Sequence, residues 1–401
     1  MGRQISEERT SPRRAGIYVH FPYCLAKCPY CDFVSYVAPE DRPIDHRGYA
    51  DAILRELDRR ASRFEGRTLG SIFFGGGTPS LWDPGELGRV LAGARAVFPA
   101  AAGVEVEVTV ECNPTSLDED RARALLDVGV GRVSIGIQSL RDEQLRFLGR
   151  LHDAKGGVSA LRSAVRAGFP RVSGDLIFGL PGQTPEQARQ EALELADQGL
   201  SHLSAYQLTI EPGTRFGELA KRGRLPLADE GATAEAFLAI DEGLSGRGLG
   251  HYEVSNYAVP GQEARHNLGY WRGDEYLGVG CGAYGFVRTE SDGTAARAER
   301  WRNDPSPERY VAAGNGADTT EDLDAEAMLR ERIMLGLRTV EGVDLNAAAS
   351  DLGIGDAGWT EERKKAFARL EQRGRVERTG ARIRVPPAAW LWTDDTASRL
   401  M

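Results

Sequence analysis

No stretch of the sequence approaches the roughly 18 consecutive apolar residues that a membrane-spanning helix needs. The opening MGRQISEERTSPRR lacks the apolar centre of a secretory leader, so the chain is expected to be cytoplasmic and without stable membrane insertion. Positive charge is not in excess: 50 basic against 59 acidic residues leave a net charge of -9, which disfavours attraction to phosphate backbones or anionic lipids. Nucleic acid is therefore not an expected partner. Cysteine is scarce and odd in number, five in 401 residues, and a chain of this length needs no staples, so a disulfide framework is not expected. Gly2 with Ser6 meets a myristoylation pattern too permissive to carry weight.

What is present is ordinary globular material, 41% hydrophobic and 27% charged, with room for two or three domains. From Gly16 to Thr209 a short β-branched run, a turn and a helix-period stretch recur. The strands read are 16–20, 71–74, 104–110, 132–137, 172–178 and 202–209, with helices near 48–62, 84–97, 118–128, 142–167 (broken) and 184–198. Asp83 before Pro84 and Thr184 before Pro185 are helix starts. Six βα units predict an α/β fold, a partial (β/α)6 barrel of the TIM type, left open because six units do not close it. The expected division is a flexible 1–15, a barrel over 16–212, an extension over 213–325 and a C-terminal domain over 326–401. The extension holds a helix near 230–245, the aromatic segment with HNLGYW, and a loop from 288 to 325 rich in Asp, Gly and Ser. Helices at 326–338 and 360–373 and a hairpin turning at Thr379 and Gly380 predict a small winged-helix-like α+β unit. Its thirteen basic and twelve acidic side chains lack the electrostatic footprint that DNA requires.

In such barrels chemistry sits beyond the C-terminal strand ends, and the distinctive residues fall there. Cys24, Cys28 and Cys31 follow the first strand, GGGTP (75–79) the second; Glu111 ends the third, Gln138 the fourth, and Asp175 lies within the fifth. Three thiolates spaced four and three apart on one loop suit three irons of a 4Fe-4S cluster, leaving the fourth without a protein ligand. The competing reading is a zinc knuckle, but zinc ordinarily closes its site with four ligands, and no fourth Cys or His stands at knuckle spacing. Lys27 either checks the thiolates' negative field or is a solvated loop charge. Cys112 and Cys281 read as small buried residues.

CxxxCxxC after a first βα strand resembles the radical S-adenosylmethionine superfamily. The longer string, from about Gly16 to Arg384, resembles the oxygen-independent coproporphyrinogen III oxidase family and its heme-chaperone relatives. The resemblance implies that the open iron chelates S-adenosylmethionine, whose reductive cleavage yields methionine and a 5'-deoxyadenosyl radical. It also implies that Tyr18 and Tyr30 flank that ligand, that Gly76 lies against its amino group, and that Glu111 accepts from its amine or ribose. Gly77, Thr78, Gln138, Arg150 and Asp175 match positions that in the oxidase hold a second S-adenosylmethionine. Read without the resemblance, Glu111 is a solvated strand end or helix cap, and Arg150 with Asp175 a rim ion pair.

Two departures bear on the branch. The oxidase carries a further cysteine where this chain has Phe33, and HNLGYW (266–271) matches the HNxxYW signature of the heme chaperones. The resemblance therefore implies heme as a third cofactor, with His266 as a neutral iron ligand and Tyr270 and Trp271 as flat apolar faces. Relatives usually have His at Tyr284, which bears on affinity or ligation. Taken alone, His266 is a hydrogen-bonded core histidine. The implied partner is a heme-accepting protein, such as a respiratory enzyme; the electron donor is unspecified, and the oligomeric state is open, with a homodimer among the options. The rival reading is the oxidase's decarboxylation of two propionates.

Overall fold

Alternation explains why six segments became barrel strands. In β1 (Arg14–Phe21), Ile17, Val19 and Phe21 are buried against the helical layer, while Gly16, Tyr18 and His20 face the other way. The same period of two repeats in β2 (Thr68–Gly76), β3 (Glu107–Cys112), β4 (Arg132–Gln138), β5 (Arg171–Phe178) and β6 (His202–Gln207). The computed structural model describes residues 13–100, 103–289, 295–313 and 317–401. Within it the six strands lie side by side in chain order, all parallel, with helices such as His46–Arg60 and Pro84–Val97 covering the outer face. Asp83 caps its helix by accepting from Glu86 N–H, and Thr184 with Gln187 forms a reciprocal capping box, the starts expected from the sequence.

The sheet continues past both edges of this parallel set. Strands β7 (Gly250–Glu253) and β8 (Asn256–Ala258) add antiparallel beyond β6. On the other side β9 (Glu275–Val279) pairs parallel with β1, and β10 (Tyr284–Thr289), β11 (Arg297–Asn303) and β12 (Ala317–Leu323) follow antiparallel. The twelve strands run in the order β12-β11-β10-β9-β1-β2-β3-β4-β5-β6-β8-β7.

Two expectations need correction. The supposed loop over 288–325 contains β11, a helix (Pro307–Ala313) and β12; β11 reads as RAERWRN, where charge on alternate positions hid the strand period. Strand β1 begins at Arg14, inside the segment expected to be flexible; the rest of that expectation, residues 1–12, lies outside the described residues. The helix expected over 142–167 is broken as expected, into Asp142–Phe147 and Ala154–Ala167.

The C-terminal part has its own core, centred on Leu329, Ile333, Leu345, Leu370 and Ile383. Helices Ala325–Gly336, Leu345–Asp351 and Glu361–Gln372 precede a two-stranded hairpin (Glu377–Thr379 with Arg382–Arg384), a winged-helix-like order whose short middle helix the sequence pattern missed. It is fastened to the sheet extension by Arg288 on Asp351 and Arg300 on Glu331. No helix among the described residues is long and apolar enough to cross a membrane.

Candidate functional site

At the barrel mouth the chain leaves β1 through Pro22 and makes a tight loop. A two-residue parallel ladder, Tyr23–Cys24 with Tyr36–Val37, closes its base. Lys27 places its ammonium on the carbonyls of Phe33 and Ser35, at 3.4 and 3.2 Å, so its charge fastens the loop. The half-buried free thiols each meet a polar group: Cys24 the Thr78 hydroxyl at 3.3 Å, Cys28 the Arg150 guanidinium at 3.5 Å, and Cys31 the Ser35 hydroxyl at 4.0 Å. Burial pushes the Cys24 and Cys31 thiols up, opposed at Cys24 by the Thr78 hydroxyl. Among the described residues no three Cys, His, Asp or Glu side chains converge as ligands of one ion. Three thiols held apart on one loop, each facing a donor, suit separate irons of a cubane.

Beside this loop β2 ends in glycines for steric reasons. Gly76 has φ +110°, and a Cβ there would lie 2.4 Å from the His20 ring; at Gly77 it would lie 2.7 Å from the Pro22 carbonyl carbon. The bare backbone lets Gly76 N–H reach the Glu111 carboxylate at 3.1 Å. Burial, with Asp175 adding repulsion, pushes Glu111 up to about 7. Asp175 accepts from the Ser134 hydroxyl at 3.0 Å and is itself raised by burial. Gln138, the one non-glycine residue with positive φ (+69°) among the described residues, has a buried side-chain oxygen with no partner, and the Arg150 Nε is likewise unsatisfied. Orphaned polar atoms and a side-chain-free cradle beside three thiols are what a polar ligand such as S-adenosylmethionine would complete.

Deeper in the lumen, Tyr18 donates to His20 Nδ1 at 3.1 Å. His20 Nε2 lies 2.7 Å from the Val34 carbonyl, which only accepts, so Nε2 carries the proton. Burial lowers His20 to about 4, keeping it neutral. The Tyr18 ring stacks on Phe73 (6.2 Å between centroids), and Phe73 on His266 (5.0 Å).

His266 belongs to the helix Arg265–Arg272, which closes the barrel at its foot, the end opposite the cysteines. Ala264 gives this helix no side-chain cap. Glu107 of β3 serves instead, accepting the N–H groups of Arg265 and His266 at 3.1 Å each. Burial alone would raise Glu107, but Arg132, Arg171 and the two amides hold it below the usual carboxylate range. Arg171 also grips the Gln262 and Glu263 carbonyls. His266 is 3% exposed, with Nδ1 2.8 Å from the Ser71 hydroxyl and Nε2 2.9 Å from the Tyr270 hydroxyl. Burial lowers it to about 4. A cleft of about 440 Å³ opens here, bordered by His266, Tyr270, Tyr276, Arg14, Arg265 and Arg272.

The structure thus sorts the expected residues. The cysteines, Gly76, Gly77, Thr78, Glu111, Gln138, Arg150, Asp175, Tyr18 and Tyr30 share the barrel mouth and upper lumen. His266 and Tyr270 share the foot, whereas Trp271 reaches Glu253 and does not border the cleft. Arg150 and Asp175 form no ion pair; Arg150 bonds the Gly136 carbonyl at 2.8 Å and Asp175 bonds Ser134. Tyr284 is 48% exposed, under the Arg302 guanidinium. Cys112 and Cys281 are buried. Glu107, Arg171, Ser71, Phe73 and His20 were not singled out from the sequence; their one signal was polar or bulky residues at alternate strand positions.

An incompletely closed parallel barrel with a three-cysteine loop at its mouth and a glycine strap beside it defines a radical S-adenosylmethionine protein. The superfamily's model matches residues 18–196, and the HemN C-terminal domain model matches 323–392. The heme chaperone HemW of Escherichia coli is 37% identical over 84% of this chain and 87% of its own. HemW of Mycobacterium tuberculosis is 34% identical over 82% and 83%. The mouse mitochondrial radical S-adenosyl methionine domain-containing protein 1 is 39% identical over 86% and 77%. The chain belongs to the HemW family. The fold is that of the solved Escherichia coli coproporphyrinogen III oxidase HemN, with a TM-score of 0.78 over 98% of this chain and 91% of that one, at 22% identity.

Proposed function

We propose that this protein is a heme chaperone, which holds a 4Fe-4S cluster with S-adenosylmethionine at the barrel mouth, binds heme, and passes it to an acceptor protein. The observation that carries the heme reading is the cleft at the barrel foot bordered by His266 and Tyr270, in a chain whose relatives bear the name heme chaperone. When bound, the cluster and S-adenosylmethionine supply one-electron cleavage of a sulfonium. The chain's residues do the holding. Cys24, Cys28 and Cys31 are the iron ligands. Tyr18, Tyr30, Gly76 and Glu111 contact the S-adenosylmethionine on the cluster, and Gly77, Thr78, Gln138, Arg150 and Asp175 are set for a second molecule.

At the foot, the neutral His266 ring is in the state that ligates iron. Ligation at Nε2 exchanges the Tyr270 hydrogen bond, about 1 kcal/mol net, for a coordinate bond. Arg14 and Arg265 along the cleft offer partners for heme carboxylates, while Arg272 is already paired with Glu341. Trp271, on the far side of the helix, lies outside this cleft. We place the work in the cytoplasm, with a respiratory enzyme as the acceptor, an unidentified low-potential electron donor, and a homodimer as an open assembly.

Heme titration of the reconstituted protein tests the reading. A Soret shift is expected, altered in His266→Ala; no shift in the wild type, or an identical one in the variant, refutes heme ligation at this site. Cys24→Ser, Cys28→Ser and Cys31→Ser should each lose iron and sulfide, while Cys112→Ser retains them. The HemN fold favours the oxidase as the second reading. Protoporphyrinogen formed anaerobically with reductant and S-adenosylmethionine would establish it; none is expected.

A further inference from the structure

Residues 148–151 press against the cluster loop. Gly149, at φ +68°, lies so near Pro29, between Cys28 and Cys31, that a Cβ there would sit 2.6 Å from the proline Cδ. The next residue, Arg150, is fixed at two points: its main-chain N–H donates to the Leu145 carbonyl at 2.9 Å, and Nη2 donates to the Gly136 carbonyl at 2.8 Å. With the guanidinium so held, Nη1 lies 3.5 Å from the Cys28 sulfur. The Tyr30 hydroxyl also lies beside Arg150 and Cys28. Among the described residues no ion pair joins Arg150 to a carboxylate. A fixed, half-buried cation therefore faces a cluster ligand with its charge uncompensated.

We infer that Arg150 is a positioning residue that sets the reduction potential of the cluster, through its N–H bond to the Cys28 sulfur and its charge. Reduction adds one electron from an external reductant and moves no proton, so the cluster becomes one unit more negative. A cation and an N–H donor at a ligating sulfur stabilise that state over the oxidised one, more strongly at a half-buried site than in water. Neutralising Arg150 lowers the potential. The effect needs neither heme nor S-adenosylmethionine, and it rests on the cluster alone.

The test is an EPR-monitored redox titration of reconstituted protein against poised dithionite, without heme or S-adenosylmethionine, after iron and sulfide assay. Arg150→Met is expected to reduce the one-electron equilibrium constant about tenfold, a potential about 59 mV lower, with Arg150→Lys in between. A Met variant that holds a full cluster at the wild-type potential overturns the inference. If Arg150→Met does not load, Arg150→Gln is titrated against the same criterion. Loss of the cluster in the Met, Gln and Lys variants alike also overturns it, since the residue then serves assembly. Wild-type protein without iron and sulfide would instead defeat the cluster reading.

Discussion

The carboxylate of Glu107 accepts the main-chain N–H of His266 at 3.1 Å, so a strand supplies the cap that the helix at the barrel foot does not make for itself. Replacing it with glutamine removes the charge beside Arg171 and one of the two oxygens that accept the amides. Glu107→Gln is expected to cost about 2 kcal/mol in denaturant unfolding, because a half-buried cation loses its carboxylate partner. Its folded pKa is depressed, so its contribution is complete above the ordinary glutamate value of 4.5 and is lost as pH falls through the folded value. The variant should therefore unfold with a shallower acid limb, measured by circular dichroism against pH; an unchanged limb counts against the role given to this carboxylate.

Glu111 titrates the other way. With a folded value of about 7 against 4.5, the apoprotein binds more protons than the unfolded chain between those limits and loses stability as pH rises through that window. Glu111→Gln should remove that slope and be more stable than wild type at pH 8. The same variant should bind S-adenosylmethionine more weakly, by about tenfold, since the charged acceptor for its amine or ribose becomes a neutral amide. Thermal unfolding at several pH values and calorimetric binding read the two effects separately.

Tyr270 competes for the His266 nitrogen offered to iron. Tyr270→Phe removes that hydrogen bond, about 1 kcal/mol, and should tighten heme binding about fivefold while lowering apoprotein stability by about 1 kcal/mol. Weaker heme binding in this variant would move ligation away from His266 Nε2.

Gly76 admits no side chain. Gly76→Ala combines strain at φ +110° with a Cβ driven into His20, and so disturbs the His20 bond to Val34 of the cluster loop. Iron content should fall and S-adenosylmethionine binding be lost, whereas Gly131→Ala, where a Cβ meets nothing within 4 Å, should behave as wild type.

The barrel strands and the cysteine loop were readable because period two and thiol spacing are local properties of the chain. Strand β9 was not, because EYLGV gains its place by pairing with a segment at the far end of the sequence. Helical geometry could have separated Tyr270 from Trp271: four residues put 266 and 270 on one face, while 271 turns a further 100° away. The Arg150 partner was out of reach, since composition and spacing say nothing of which sulfur a guanidinium meets.

Strand β1 lies between β2 and β9, so a strand made among the first residues is flanked by one made only after most of the barrel. On a ribosome that flank stays bare while the barrel's parallel set emerges, and the exposed ladder is open to a neighbouring nascent chain or a chaperone. Amides of Tyr18 and His20, whose backbone groups face the β9 side, should accordingly acquire their slow hydrogen exchange late in refolding, once Glu275–Val279 has docked.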